Sequence, residues 1–286
     1  MEVPLFRPDG LLVVPDRVAP SYAVLVLSGS SGRIEEGRVR LLARSGVAAM
    51  SVRWFGGTGQ PPGICEIALE SLSAQLDRLA DYAEHLVVLG TSKGAEAALL
   101  LASEQARIRL VVALSPTSVV WANVGPGLDG RDRPDRSSWT RNGEPLPFVP
   151  FDQDWSPPPG QPPAFRSHYE RSLALFPEEV RQASIPVERI SGRLILSAGG
   201  DDQMWPSSTF ASAIVARRAD HGLATTSIMH PEAGHRINFP GEAATITDGR
   251  VVVHGGNPSA NAELGRRVWV AMTDVFRTSA AGDREI

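Results

Sequence analysis

A serine stands between two glycines in Gly90-Thr91-Ser92-Lys93-Gly94, with the apolar run HLVVLG leading into it and AEAALLLAS following. Serine is a poor nucleophile at its own pKa, so chemistry that uses it needs a base and a third group to orient that base. The flanks supply the mechanical part. A strand running straight into a helix strains the central residue, and glycines on either side let the backbone pass. The hydroxyl is lifted clear of the sheet, above a helix N-terminus whose free N–H groups favour developing negative charge. Ser92 is the candidate nucleophile. The bland alternative is an ordinary Gly-Ser turn in which Ser92 only caps the helix.

The acid and the histidine should follow in that order, each just past a strand. Asp201 and Asp202 lie in GGDDQMWPS after the apolar run 194–198, and His235 lies in HPEAGHRINFP after the run 224–229. His235 follows a glycine in a turn, from which an imidazole can reach over the sheet edge. Asp201 and Asp202 compete for the role of orienter, and the one not used can hydrogen-bond backbone in the turn. His230 ends its strand, whereas His85, His168, His221 and His254 have no matching context. A tetrahedral intermediate also needs oxyanion donors. The backbone N–H of Lys93 is one candidate, and that of Ser30 or Ser31, in the small-residue loop SGSSG, is the other. Trp205, Phe151 and Trp155 are candidate substrate contacts.

These residues must be held by a scaffold. Near-continuous apolar runs at 23–28, 47–53, 85–90, 108–115, 194–198 and 224–230 read as strands covered on both faces. Helical patterns alternate with them: 33–43, 68–84, 94–102, 207–221 and 259–277. The expectation is a mostly parallel α/β sheet with helices on both faces, in one domain over 1–286. Residues 123–187 break the rhythm: they are rich in proline and carry one plausible helix, around 168–182. A stretch of that length between two strands reads as a functional insertion, a lid whose Phe148, Phe151, Trp155, Phe165 and Tyr169 line an apolar cavity.

Composition narrows the field. The 286 residues carry a net charge of −4, so no basic face points to nucleic acid, and no apolar run reaches membrane-spanning length. The start, MEVPLFRPDG, has no signal-peptide core, and a cytoplasmic protein is expected. A single cysteine, Cys65, excludes internal disulfides and multi-cysteine metal sites and reads as a small buried hydrophobe. Of the 28 basic residues only Lys93 is a lysine; all the others are arginine.

At these residues the chain resembles the C-terminal catalytic domain of the acyl-CoA thioesterase and bile-acid-CoA:amino-acid N-acyltransferase family, within the α/β-hydrolase superfamily. GTSKGAEAALLLAS is similar to that family's nucleophile segment, including the lysine after the nucleophile. GGDDQMWPS is similar to its acid-bearing turn, where the second aspartate serves, which implies Asp202. HPEAGHRINFP resembles its histidine segment, and GGNPSANAELGRRVW its last loop and helix. The nucleophile is serine, as in the thioesterases; the bile-acid transferase uses cysteine. Family members known for acyl-CoA work carry a β-sandwich domain ahead of the hydrolase. Here about twenty residues precede the first central strand, so one hydrolase domain with its insertion is expected.

The resemblance implies a hydrolase or acyltransferase acting on a small-molecule acyl thioester, with no metal or organic cofactor. A carboxylesterase or peptidase without CoA recognition is the alternative, and a non-catalytic ligand-binding protein of the same fold a more distant one. For CoA phosphates, the insertion offers Arg131, Arg133, Arg136 and Arg141, which alternate with acidic residues as a solvated mixed-charge loop also would; Arg236 is a further candidate.

Overall fold

The computed structural model describes residues 1–16, 19–131, 134–242 and 251–282. Strands β1 (Glu2–Leu5) and β2 (Gly10–Val13) form a hairpin ahead of β3 (Tyr22–Leu27). Helix α1 (Glu36–Arg44) leads to β4 (Ala48–Val52) and β5 (Ile67–Ala68), and α2 (Leu69–Ala80) to β6 (His85–Thr91). Helix α3 (Lys93–Glu104) then connects to β7 (Ile108–Leu114). The insertion carries β8 (Trp139–Arg141), β9 (Glu144–Pro145), α4 (Arg166–Leu175) and α5 (Pro177–Gln182). After it come β10 (Arg193–Gly199), α6 (Ser207–Asp220), β11 (Thr226–His230) and α7 (Pro258–Gly282).

The main sheet has eight strands in the order β1-β2-β4-β3-β6-β7-β10-β11. The β1–β2 and β2–β4 pairs are antiparallel, and every pair from β4 to β11 is parallel. Period-two alternation divides the strands between two cores. Leu25, Leu27 and Val88 face one side with Leu72 and Leu76 of α2, Leu99 of α3 and Phe210 of α6. Val24, Val26, Val87 and Leu89 face the other with Val39 and Leu42 of α1 and Leu264 and Val268 of α7. All six residues of β3 are buried, as a central strand covered on both faces requires.

The six expected strands and five expected helices are all present. Two features differ from the expectation. The N-terminal hairpin was not read from sequence, because its four-residue strands are short and Pro4 interrupts the first. Proline is tolerated there because β1 is the edge strand of the sheet. The single helix expected around 168–182 is two, α4 and α5. The break falls at Phe176 (φ −121°, ψ 55°), ahead of Pro177 at the start of α5. Proline offers no N–H to a preceding turn and pushes the residue before it out of helical geometry. The insertion is further tied down by a three-stranded sheet, β5-β8-β9, in which β8 pairs with β5 of the main body. No helix among the described residues is long and apolar enough to cross a membrane.

Candidate active site

The elbow forms at the carboxyl end of β6, where open parallel sheets present their ligand sites. Ser92 sits at φ 57°, ψ −120°, a conformation that L side chains rarely adopt. It is held there from both sides. Its N–H donates to the Leu114 carbonyl at the end of β7 (2.9 Å), and its carbonyl accepts from the Ala95 and Glu96 N–H groups in the first turn of α3. The glycines are needed for close approach: a Cβ on Gly90 would lie 2.0 Å from the Gly94 carbonyl oxygen, and one on Gly94 2.4 Å from that of Leu27. Gly29, in the loop after β3, comes so near that an added Cβ would stand 3.7 Å from Ser92 Oγ.

The other two groups arrive on the loops after β10 and β11. His235 Nδ1 lies 2.8 Å from Asp202 Oδ2, and both side chains are buried. The remaining Asp202 oxygen accepts from the Met204 and Trp205 N–H groups at 2.9 and 3.3 Å. Asp201 turns away: it accepts from the Gln203 side chain and from the Gly256 N–H. Of the competing aspartates, Asp202 is the one that touches the imidazole. The His235 backbone is pinned twice, donating to the His254 carbonyl (2.9 Å) and accepting from Ser115 Oγ (2.8 Å).

Ser92, His235, Ser30 and Ser31 share one cavity of about 70 Å³. His254 also lines it, a residue that sequence reasoning set aside because no strand-and-turn context marked it. Burial, together with the charges of Arg236 and His235, pulls its imidazole down to about 4. Ser115 was likewise missed. It directly follows β7 at φ 47°, and its carbonyl accepts the Trp205 indole N–H at 3.1 Å. Its position at the end of the strand beside β6 was the one sequence signal available.

Of the aromatics expected to line an apolar cavity, Phe151, Trp155, Phe165 and Tyr169 pack on other rings and Phe148 packs against the hydrophobic core. Phe151 stacks on Trp121 with centroids 5.6 Å apart, and Trp155 stacks on His168 at 4.5 Å. Trp205 is buried, with its ring nearly perpendicular to that of His235 and centroids 5.8 Å apart. None of Phe151, Trp155 and Trp205 lines the cavity. Cys65 is buried away from the elbow, where burial pushes its thiol up. Of the insertion arginines, Arg136 pairs with Glu66 and Arg141 with Glu104; Arg133 lies outside the described residues. Arg33 and Arg236 do line the cavity. Among the described residues no cluster of three His, Cys, Asp or Glu side chains could hold a metal.

Two buried ion pairs flank the elbow. Arg38 of α1 donates from Nε and Nη2 to both oxygens of Glu242 (2.5 and 3.0 Å) and from Nη1 to Thr91 Oγ1 (3.2 Å). Its charge also lies 4.7 Å above the Phe239 ring. Desolvation opposes that charge, but Glu242 and Glu35 outweigh it, so the guanidinium titrates above its ordinary value. Lys93 Nζ donates to Glu96 Oε2 at 2.6 Å and to Ser138 Oγ at 2.8 Å. There desolvation wins: Lys93 is pulled below the usual lysine range and Glu96 pushed above the usual carboxylate range.

Residues 82–281, a span that includes Ser92, Asp202, His235 and the insertion, match the family described as BAAT / Acyl-CoA thioester hydrolase C terminal. The chain belongs to this family. It is 25% identical to human acyl-coenzyme A thioesterase 6, an alignment that takes in 96% of this chain and 64% of that protein. It is 24% identical to rat acyl-coenzyme A amino acid N-acyltransferase 2, over 95% of this chain and 63% of that one. The chain therefore spans a little under two thirds of the length of these family members. Among solved structures, a putative dienelactone hydrolase from Klebsiella pneumoniae superposes with a TM-score of 0.54 at 14% identity, covering 94% of this chain and 92% of the other. The fold is that of the α/β-hydrolases.

Proposed function

We propose that this family member is a serine hydrolase or acyltransferase that breaks an acyl thioester, on CoA or on a carrier, through an acyl-serine intermediate. The observation that carries the reading is the buried His235–Asp202 contact at 2.8 Å, made by an imidazole that shares its cavity with Ser92. A carboxylate accepts hydrogen bonds and does not donate them, so His235 holds its proton on Nδ1 and leaves Nε2 as the base. Nε2 takes the Ser92 proton as Oγ bonds to the acyl carbon. The oxyanion so formed is met by the N–H of Lys93, which heads α3 with no helical carbonyl behind it, and by that of Ser30 or Ser31. Collapse breaks the carbon–sulfur bond, and the leaving thiolate takes the proton from His235. Water or an amine then gives a proton to the same nitrogen as it attacks the acyl carbon; the carbon–Oγ bond breaks and His235 returns that proton to Ser92.

The names of the relatives, thioesterases and an N-acyltransferase, support an acyl-CoA donor and leave both acceptors in play. In this reading residues 123–187 are the lid that decides between water and another acceptor, and the setting is cytoplasmic. Arg33 and Arg236 at the cavity supply positive charge suited to phosphate.

A fluorophosphonate probe combined with a panel of acyl-CoA and p-nitrophenyl esters tests the proposal. Labelling should fall on Ser92, and Ser92→Ala should lower turnover by at least roughly 10⁴-fold. Turnover that survives Ser92→Ala would sink the mechanism. Preference for p-nitrophenyl esters over every acyl-CoA would replace the thioester with a simple ester as substrate.

A further inference from the structure

The one lysine of the chain is spent in a sealed place. Lys93 and Glu96 are 2% and 0% exposed, and both lie in the first turn of α3. Their partners lie mostly across the insertion. Lys93 Nζ reaches Ser138 Oγ, which in turn donates to the Ala122 carbonyl at 2.9 Å. Glu96 Oε1 accepts the Trp121 N–H at 3.1 Å and the Trp139 indole N–H at 2.7 Å. Two side chains of the elbow helix thus gather 121–122, the chain leading into the insertion, and 137–139 within it, which are themselves bridged by the Ser138 N–H to the Trp121 carbonyl.

A buried ion pair is a poor device for stability alone, since well-packed apolar groups of similar volume often do as well or better. What it provides is direction. Lys93 Nζ is fixed under the insertion while the N–H of the same residue faces the nucleophile in the proposed mechanism. Lysine rather than arginine fits this pocket: two acceptors serve most of an ammonium's three donors, whereas a guanidinium would bring five in a rigid fork.

Building on the serine mechanism above, we propose that the Lys93 side chain and Glu96 are positioning residues that latch the 121–139 segment to the elbow and so hold the Lys93 N–H beside Ser92.

The test uses the full chain with K93M, K93R, E96Q and K93M/E96Q. Turnover is expressed per Ser92 titrated with fluorophosphonate, alongside KM and limited proteolysis of the insertion. A displaced oxyanion donor should lower the titrated kcat by roughly 10- to 100-fold in K93M and E96Q with KM changed by less than about threefold. Cleavage within 123–187 should accelerate in both. K93R should not rescue, and K93M/E96Q should be no worse than the poorer single variant, because both substitutions cut one link. If K93M alone fails to fold, the double variant, which leaves no unpaired buried charge, carries the test. A titrated kcat in K93M/E96Q within about twofold of wild type would overturn the positioning role, even if cleavage accelerates. Wild-type protein that takes no fluorophosphonate would overturn the serine mechanism instead. The latch would then be judged by cleavage alone, and unchanged protection of the insertion in K93M/E96Q would refute it.

Discussion

The two ion pairs beside Ser92 look alike and behave oppositely. Arg38–Glu242 ties the segment after His235 to α1 and to Thr91, and the Arg38 charge is over-compensated: Glu242, gripped by both prongs of the guanidinium, and Glu35 outweigh desolvation. Lys93–Glu96 ties the insertion to α3, and desolvation outweighs what each partner gives the other. The difference tracks what each joint holds. The histidine loop has one correct place relative to Ser92. In the proposed function residues 123–187 are a lid, and a lid that admits substrate has to let go. A point charge on a flexible stem, partly discouraged by its surroundings, makes the more releasable joint.

Arg38→Met leaves Glu242 buried without its partner, and chemical denaturation should show a loss of about 3–5 kcal/mol. The double variants separate the joints more sharply. K93M/E96Q should unfold within about 1–2 kcal/mol of wild type, whereas R38M/E242Q should stay clearly below it. Equal losses in the two double variants would show that the pairs are the same kind of joint.

The smallest expected effect is a pH dependence on the histidine-loop side. His254 titrates at about 4 in the folded protein, below the roughly 6.5 of an unfolded chain. The native state refuses a proton that the unfolded state accepts, so its stability is complete above about 6.5 and is lost as pH falls toward 4. His254→Gln removes that titration and should lose less Tm than wild type between pH 7 and pH 4.5. An identical acid profile in the variant would assign the sensitivity elsewhere.

Much of the scaffold could be read because its signals are local. Residues 85–90 and 108–115 are apolar runs broken only near their ends, by His85, Arg109 and Ser115, and such runs fit strands covered on both faces. The elbow was equally plain, since glycines at 90 and 94 around a serine have few other uses between a strand and a helix. The insertion was legible as an interruption and little more. Its composition marked residues 123–187, but proline-rich segments take their shape from what they pack on. Phe151 and Trp155 were therefore assigned to an open cavity, whereas Phe151 stacks on Trp121 and Trp155 on His168.

Sequence alone determined that Ser92 stands at a strained strand-to-helix turn, that a histidine at 235 follows the last strand, and that the basic residue after the serine differs in kind from every other. Those are properties of neighbours along the chain. Tertiary structure decided the rest. Spacing did not separate Asp201 from Asp202 and only the family resemblance implied Asp202; adjacent side chains on a turn point apart, and in the fold it is Asp202 that meets His235. Nor could spacing find Ser115 and His254, whose roles come from strands and loops far apart in sequence. The lone lysine stood out from the start, but its purpose depends on Ser138, 45 positions away, and on a dry pocket that exists only once the insertion has closed over α3.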